Sequence, residues 1–247
     1  MNLALIVAGG TGTRMGRPGG KQLMPLAGKP VLAHTLRAFQ DSASVNAIIL
    51  VIAEENIDPC RALIAEFEIS KAISVVASGA ERQDSVYNGL KAAGKVGDVR
   101  VVTVHDGARP LVTVDMIDRT VAEVVTGGGR GIDGVVVGIP AKDTIKLVRE
   151  GVVVDTVDRS QAWQVQTPQA FVFNTLIKAH EFARADGFYG TDDAVLIERM
   201  GGTVTVIAGA DENIKITTPT DIVIAEVFLA KRDGIKSGDE IQEEMGE

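Results

Sequence analysis

Short apolar runs rich in β-branched residues recur along the chain, and turn residues bound each of them. Such a run is typical of a strand with both faces buried, because a half-exposed strand would alternate apolar and polar residues. The pattern therefore predicts strands at residues 3–8, 47–53, 73–77, 99–104, 134–140 and 203–207.

Segments in which apolar residues recur at helical spacing separate most of these strands. They predict helices at residues 30–40, 57–68, 81–93, 114–125, 174–185 and 192–200. Strands that alternate with helices form a mostly parallel sheet with helices on both faces, so we expect a Rossmann-like α/β fold. Ligands of such sheets bind beyond the carboxyl ends of the strands. The residues that follow each strand are therefore the first candidates for chemistry.

Residues 141–159 break this alternation. Two stretches with strand character flank a Glu150-Gly151 turn, which predicts a β-hairpin inserted at about residues 139–160. We expect this hairpin to be an arm that reaches a neighbouring subunit of a homodimer, and an extension of the sheet edge is the alternative. Residues 1–230 are predicted to form a single domain, and the charged residues 231–247 a frayed tail.

The composition narrows the class of protein. Hydrophobic residues make up 45% of the 247 residues and charged residues 23%, which is typical of a soluble globular chain. No apolar run is long enough to cross a bilayer, and the first apolar segment runs directly into glycines, unlike a signal peptide. The single cysteine, Cys60, excludes an internal disulfide framework and favours a reducing compartment. We therefore expect a cytoplasmic protein that does not bind membranes.

The distribution of charge suggests the kind of ligand. A net charge of -8 argues against a protein that binds nucleic acid by broad neutralisation of phosphates. That average conceals an asymmetry, because residues 1–40 contain no aspartate or glutamate. A locally cationic amino end on an acidic protein predicts a site focused on a small polyanion. The cations of this segment are Arg14, Arg17, Lys21, Lys29 and Arg37.

A glycine-rich loop follows the first predicted strand, at residues 8–16. Glycines allow consecutive backbone N–H groups to surround phosphate oxygens. The dinucleotide-binding fingerprint would need a glycine in place of Met15, and the Walker A motif fails because Gln22 follows Lys21. The remaining interpretation is a phosphate loop in which Arg14 and Lys21 stabilise charge on an attacked phosphate. A glycine turn with solvated surface charges is the alternative.

Asp106 comes just after the predicted strand at residues 99–104. A carboxylate at this edge suits Mg²⁺, which uses one or two protein carboxylates and takes its other oxygens from phosphate and water. A cap or turn residue is the alternative interpretation of Asp106.

The chain carries an ordered set of motifs that begins with the segments 4–16 and 21–36. Together they resemble the family of 2-C-methyl-D-erythritol 4-phosphate cytidylyltransferases, from Leu3 to about Leu229. The resemblance implies that CMP is transferred from CTP to 2-C-methyl-D-erythritol 4-phosphate in the non-mevalonate isoprenoid pathway, with Mg²⁺ as cofactor. The further motifs lie at residues 78–85, 104–110, 143–146, 158–160, 166–169, 191–194 and 213–219.

The resemblance also implies roles for individual residues. Arg14 and Lys21 would be the catalytic cations, and Asp106 would bind the metal ion. Ala8 and Gly9 would contact the cytosine base. The other substrate-binding residues implied are Gly10, Thr11, Gly12 and Thr13 at the phosphates, Gly79 and Ser85 at the cytidine, Arg159, Lys215, Thr167 and Thr191 at the acceptor, and Gly107 and Arg109 beside Asp106.

Several interpretations remain beside this one. Gly9 and Gly107 stand where the family more often has alanine, so ribitol 5-phosphate is the alternative acceptor. A non-catalytic nucleotide-binding protein of the same fold is a second alternative, and an NAD-dependent dehydrogenase is a third, opposed by Met15.

Four further residues receive no substrate role from the sequence. Arg82 and Asp84 fit an ordinary surface ion pair, and Asp192 and Asp193 fit a helix cap and partners of the helix dipole. His105 is assigned no catalytic role.

Overall fold

The computed structural model describes residues 1–10, 20–232 and 234 of the chain. Its helices are α1 (Val31–Asp41), α2 (Ile57–Glu66), α3 (Arg82–Ala93), α4 (Val114–Gly127), α5 (Phe173–Ala185), α6 (Ala194–Arg199) and α7 (Pro219–Arg232). Its strands are β1 (Asn2–Val7), β2 (Pro25–Leu26), β3 (Lys29–Pro30), β4 (Ala47–Ile52), β5 (Ala72–Ala77), β6 (Val101–Asp106), β7 (Gly134–Pro140), β8 (Lys146–Arg149), β9 (Val152–Thr156), β10 (Trp163–Val172) and β11 (Val204–Ala208).

Among the described residues, seven strands form the central sheet, in the order β11-β7-β10-β6-β1-β4-β5. The predicted fold class is confirmed, because neighbouring strands run parallel except where β10 lies antiparallel between β6 and β7. The sequence did not predict β10. One difference in strand length matters for the site, since β6 ends at Asp106 and not before it. Asp106 is therefore held by the sheet ladder itself.

Both faces of the sheet are buried, and β1 shows why. Leu3 and Leu5 pack with Leu90 of α3 on one face, whereas Ala4 and Ile6 pack with Leu36 of α1 on the other. All of these side chains except that of Ala4 are large, and all are inaccessible to solvent. Burial of this apolar area on two faces supplies the main driving force for the layered fold.

The predicted hairpin is present. β8 and β9 pair antiparallel around the Glu150–Gly151 turn, where both residues adopt positive φ, and they form a two-stranded sheet separate from the central one. Every residue of the two strands is exposed. The role of this hairpin as an intersubunit arm stays a prediction, as does the single domain of residues 1–230.

The carboxyl-terminal helix α7 was not predicted. It packs Ala225 and Leu229 against Leu26 of β2 and Leu111, and it continues to Arg232, so the first two residues of the predicted tail are helical. The rest of that tail, apart from Gly234, lies outside the described residues.

In the described ranges, no helix has both the length and the hydropathy needed to cross a bilayer.

Candidate active site

The carboxyl ends of β1, β5 and β6 meet at one edge of the sheet. Val7 at the end of β1 pairs with Asp106 at the end of β6, which places the start of the glycine loop beside this carboxylate. A cleft opens at this edge between the glycine loop, the turn after β5 and the segment after β6. Its lining consists of Val7, Gly9, Gly10, Gln22, Gly79, Ala80, Glu81, Arg82, Ser85, Asp106, Ala108 and Lys215.

Gln22 fixes the start of the glycine loop. Its buried side-chain amide donates to the carbonyl oxygens of Ala8 at 2.6 Å and Gly10 at 3.1 Å. A Cβ atom at Gly9 would overlap the Cβ of Ser78, so the loop lies directly against the turn after β5. Sequence reasoning missed this role, because Gln22 was considered only as a departure from the Walker A motif. Glycine at position 9 permits the close approach that forms this wall of the cleft.

Thr11, Gly12, Thr13 and Arg14 lie outside the described residues. Lys21 begins a short 3-10 helix, and its side chain is likewise outside the description. The roles assigned to these residues stay predictions.

The turn between β5 and α3 forms the opposite wall. The Ser85 hydroxyl accepts from the Gly79 N–H and donates to the Glu81 carbonyl oxygen, each at 3.0 Å. Glu81 and Asp84 form a reciprocal capping box at the start of α3. The predicted cytidine contacts Gly79 and Ser85 thus lie together in the cleft, on a turn closed by its own hydrogen bonds.

Asp106 lies at the centre of three cations. Its carboxylate is 2.8 Å from Nζ of Lys215, 3.4 Å from Nε of Arg82 and 3.6 Å from Nε of Arg109. Burial alone would raise the pKa of Asp106, but the charges of Arg82 and Lys215 lower it well below the usual range for a carboxyl group. The site therefore presents an ionised carboxylate and three positive charges to a ligand.

Two neighbouring segments hold Arg109 and Lys215 in place. The Ile216 N–H donates to the Ala108 carbonyl oxygen at 2.8 Å, and Nη1 of Arg109 donates to the Asn213 carbonyl oxygen at 2.7 Å. The segment after β11 therefore runs beside the segment after β6. This contact brings Lys215 to Asp106 from a distant part of the chain.

A buried polar chain orients the backbone at Asp106. The Asp106 N–H donates to the Thr167 hydroxyl at 3.1 Å, and the same hydroxyl is 3.0 Å from Nδ1 of His105. Burial lowers the pKa of His105 to about 3, so its imidazole is neutral. Nε2 then donates to the Arg109 carbonyl oxygen at 3.2 Å while Nδ1 accepts from Thr167. His105 and Thr167 thus support the loop that carries Asp106 and Arg109.

A second cleft adjoins the first. It shares Arg82, Asp106 and Lys215 with the first cleft, so these three side chains lie at the junction of the two clefts. Thr167 and Thr191, the predicted acceptor contacts, both lie in the second cleft. Its other lining residues are Arg109, Trp163, Val165, Gln166, Gln169 and Asp192.

Three predicted site residues lie apart from these clefts. In the described part of the protein, Arg159 lines neither cleft, and its Nη1 donates instead to the Lys142 carbonyl oxygen at 3.2 Å near the base of the hairpin. Gly107 packs behind the first cleft, where a Cβ atom would lie 2.9 Å from that of Ala8 and the Gly107 carbonyl accepts from Thr35. The carbonyl oxygen of Ala8 accepts a hydrogen bond from the Gln22 side-chain amide.

The interpretation of Arg82 and Asp84 as a surface pair is wrong. Nη1 of Arg82 is 2.7 Å from Oδ2 of the buried Asp193, whereas Asp84 pairs with Arg184 at 2.6 Å. The capping interpretation holds for Asp192, which accepts from the Val195 N–H at 3.1 Å. Asp193 also occupies the N-cap position of α6, but its carboxylate makes no capping bond there and accepts instead from Arg82 and His180.

Comparisons with known proteins identify the family of this chain. Residues 2–231 match the family profile described as 2-C-methyl-D-erythritol 4-phosphate cytidylyltransferase. A curated protein of that name from Geobacter metallireducens is 46% identical over 231 residues, which are 93% of this chain and 97% of the relative. One from Caldanaerobacter subterraneus is 43% identical over 230 residues, which are 92% of this chain and 98% of the relative.

Solved structures match the fold. The crystal structure of 4-diphosphocytidyl-2C-methyl-D-erythritol synthase from Anaerococcus prevotii superposes with a TM-score of 0.79 at 29% identity and covers 93% of this chain and 96% of that one. The cytidylyltransferase from Thermus thermophilus has a TM-score of 0.69 at 28% identity, with 93% and 98% covered. On the profile match and these identities, the chain belongs to the 2-C-methyl-D-erythritol 4-phosphate cytidylyltransferase family.

Proposed function

We propose that this enzyme transfers CMP from CTP to 2-C-methyl-D-erythritol 4-phosphate and releases pyrophosphate. The observation that carries the proposal is the junction of the two clefts. One ionised carboxylate and three cations lie there, between the first cleft and the second. The first cleft, with Gly79 and Ser85, suits a nucleotide. The second, with Thr191, suits a small polyol phosphate.

The reaction at the junction is an in-line displacement. A phosphate oxygen of the acceptor attacks the α-phosphorus of CTP, a new P–O bond forms, and the bond to pyrophosphate breaks with its electron pair on the leaving group. A phosphate monoester is already anionic near neutral pH, so the attack requires no general base. Lys215 and Arg109 stabilise the negative charge of the phosphates and hold them in line.

We propose that Asp106 also binds Mg²⁺. Within the described residues no group of three or more metal-binding side chains is present, so a cage made of protein ligands alone does not fit here. A single carboxylate at a phosphate site does fit Mg²⁺, which takes most of its oxygens from phosphate and water. When bound, the ion would neutralise triphosphate oxygens and the leaving pyrophosphate.

The alternative functions receive less support. The profile and the relatives carry the methylerythritol name, so ribitol 5-phosphate is not favoured as acceptor. A dehydrogenase or a non-catalytic nucleotide-binding protein is not favoured on the same ground. The cytoplasm is our proposed location, in keeping with the single buried thiol of Cys60.

The purified enzyme is expected to release pyrophosphate from CTP and Mg²⁺ with 2-C-methyl-D-erythritol 4-phosphate far faster than with ribitol 5-phosphate. An enzyme-coupled pyrophosphate assay measures both rates, and omission of the acceptor controls for hydrolysis of CTP. Preference for ribitol 5-phosphate would show that the enzyme acts in another pathway. Absence of turnover with both acceptors, in folded protein, would contradict the assignment as an enzyme.

We also propose that the enzyme is a homodimer formed through the hairpin of β8 and β9. Val148, Val152, Val153 and Val154 are each more than half exposed, which is unusual for four apolar residues in one small hairpin. Arg159 follows this hairpin and lies away from the clefts of its own protomer. A dimer that covers the valines can place Arg159 at the acceptor phosphate of the partner.

Replacing Val152 and Val154 together with glutamate is expected to convert the dimer to a monomer, because two added charges on β9 are costly to bury in an interface. Sedimentation velocity measures the mass, and the acceptor KM is expected to rise as Arg159 is lost from the partner site. Val227→Glu on α7, at similar exposure, is the matched control. A wild-type chain that sediments as a monomer while fully active would contradict the proposal.

A further inference from the structure

Arg82 is anchored at the junction by a buried acid. Nη1 of Arg82 donates to Oδ2 of Asp193 at 2.7 Å, and Nε lies 3.4 Å from Oδ1 of Asp106. Nε2 of His180 lies 3.0 Å from the other oxygen of Asp193. The side chains of Asp193 and His180 are 1% and 0% exposed, whereas that of Arg82 is 30% exposed. The buried Asp193 therefore fixes the Arg82 guanidinium on its protein side, and the exposed part of the Arg82 side chain reaches the cleft.

The surrounding packing keeps this geometry. The Gln83 amide donates to the Phe188 carbonyl oxygen and accepts from the Gly190 N–H, each at 2.9 Å. These bonds fasten the start of α3 to the segment that leads into Asp193. Burial alone would raise the pKa of Asp193, but the charge of Arg82 and the hydrogen bond from His180 lower it. Asp193 is thus a buried, ionised partner for Arg82.

A buried ion pair is costly to form and contributes little net stability compared with apolar packing. The position of Asp193 is therefore better explained by the orientation of Arg82 than by stability. The 2.7 Å contact to Asp193 is a short charge-assisted hydrogen bond, whereas the 3.4 Å contact to Asp106 is long. Arg82 can leave Asp106 for another anion without losing its anchor.

We propose that Arg82 is a further phosphate-binding residue of the reaction and that Asp193, held by His180, is its positioning residue. The inference rests on the proposed function. Arg82 lines both clefts, so the group it meets is the phosphate that both substrates share during transfer. As the acceptor oxygen bonds to the α-phosphorus and pyrophosphate departs with the electron pair, Arg82 neutralises the equatorial oxygens and exchanges no proton.

Three variants test the inference: Arg82→Gln, Asp193→Asn and the double variant. We expect Arg82→Gln to lower kcat about 30-fold, the loss of one charge-assisted contact, with smaller changes in the two KM values. Asp193→Asn keeps the shape and is expected to lower kcat about 10-fold. If Asp193 acts through Arg82, the double variant matches Arg82→Gln within about twofold. If the role of Asp193 is purely structural, the loss of kcat in the double variant will instead be the product of the two single losses. That outcome would overturn the positioning role.

A matched control is Arg119→Gln, which removes an exposed pair to Asp115 on α4 and should leave kcat unchanged. Thermal unfolding of each variant shows that it is folded at the assay temperature. As a second readout, millimolar guanidinium ion is expected to restore part of the activity of Arg82→Ala and none of that of Arg82→Ala/Asp193→Asn. Equal rescue of both variants would show that Asp193 does not position the cation at this site.

Binding of CTP supplies a readout that does not depend on turnover. In titration calorimetry with CTP and Mg²⁺, Arg82→Gln is expected to weaken the affinity several-fold relative to the wild type. Unchanged affinity together with unchanged kcat would overturn the role of Arg82. If the wild type binds CTP but transfers nothing to either acceptor, the proposed function fails while the calorimetric comparison still decides for or against Arg82.

Discussion

Asp106→Asn is expected to lower kcat/KM for CMP transfer about a thousandfold while the protein remains folded. The carboxylate contacts Lys215, Arg82 and Arg109 at the junction of the clefts. Asparagine keeps the size and a carbonyl oxygen, so the chain of bonds through Thr167 and His105 can persist. It removes the negative charge that organises the three cations and, in our proposal, holds Mg²⁺.

The measurement is pyrophosphate release as a function of Mg²⁺ concentration. The variant is expected to need a much higher Mg²⁺ concentration for half-maximal rate, which loss of stability alone would not produce. Asp115→Asn, which breaks the exposed pair with Arg119 on α4, is the control and should behave as the wild type. A variant that retains a tenth of the wild-type kcat/KM with an unshifted Mg²⁺ requirement would contradict the metal role of Asp106.

Much of the fold could be predicted because the parallel strands are buried on both faces. Runs such as 47–52 and 134–140 are almost wholly apolar, and a short run of this kind between turn residues is typical of a doubly buried strand. β10 lies in the middle of the same sheet but carries Gln164, Gln166 and Gln169. Two of these glutamines hydrogen-bond near the second cleft, as Gln166 does to the Ala210 carbonyl oxygen and Gln169 to Asp192. Polar contacts at the site have here replaced the apolar pattern that marks a buried strand.

The same distinction applies to the site. Residues at or just after a strand end, such as Asp106 and the turn at residues 78–85, could be placed because the topology of parallel sheets puts strand ends at one edge. The contact between Arg82 and Asp193 joins residues 111 positions apart, at the starts of two different helices. Charged residues at such positions usually face solvent, so neither spacing nor composition distinguishes these two from ordinary surface groups. The folded structure is needed to show that the Asp193 carboxylate fixes Arg82 and makes no capping hydrogen bond.

Gly79→Ala is expected to lower kcat/KM for CTP about a hundredfold, because it displaces a wall of the nucleotide cleft. An added Cβ would overlap the Cβ of Asp84 and lie 2.9 Å from the Asp84 carbonyl carbon. A backbone atom cannot rotate away, so the turn itself must open. Its opening would break the bond from the Gly79 N–H to Ser85 and shift Arg82, which begins α3. The free energy of unfolding is expected to fall by about 2 kcal/mol.

Gly128→Ala is the matched control, since a Cβ there meets no atom within 4 Å and the backbone at Gly128 has φ of -56°. Denaturant unfolding and the KM for CTP separate the two effects. If the damage at Gly79 is local to the cleft, saturating CTP should recover much of kcat, because the lost interactions act mainly on nucleotide binding. A Gly79→Ala enzyme with wild-type CTP affinity would show that the turn after β5 does not form the nucleotide site, and the first cleft would then need another ligand.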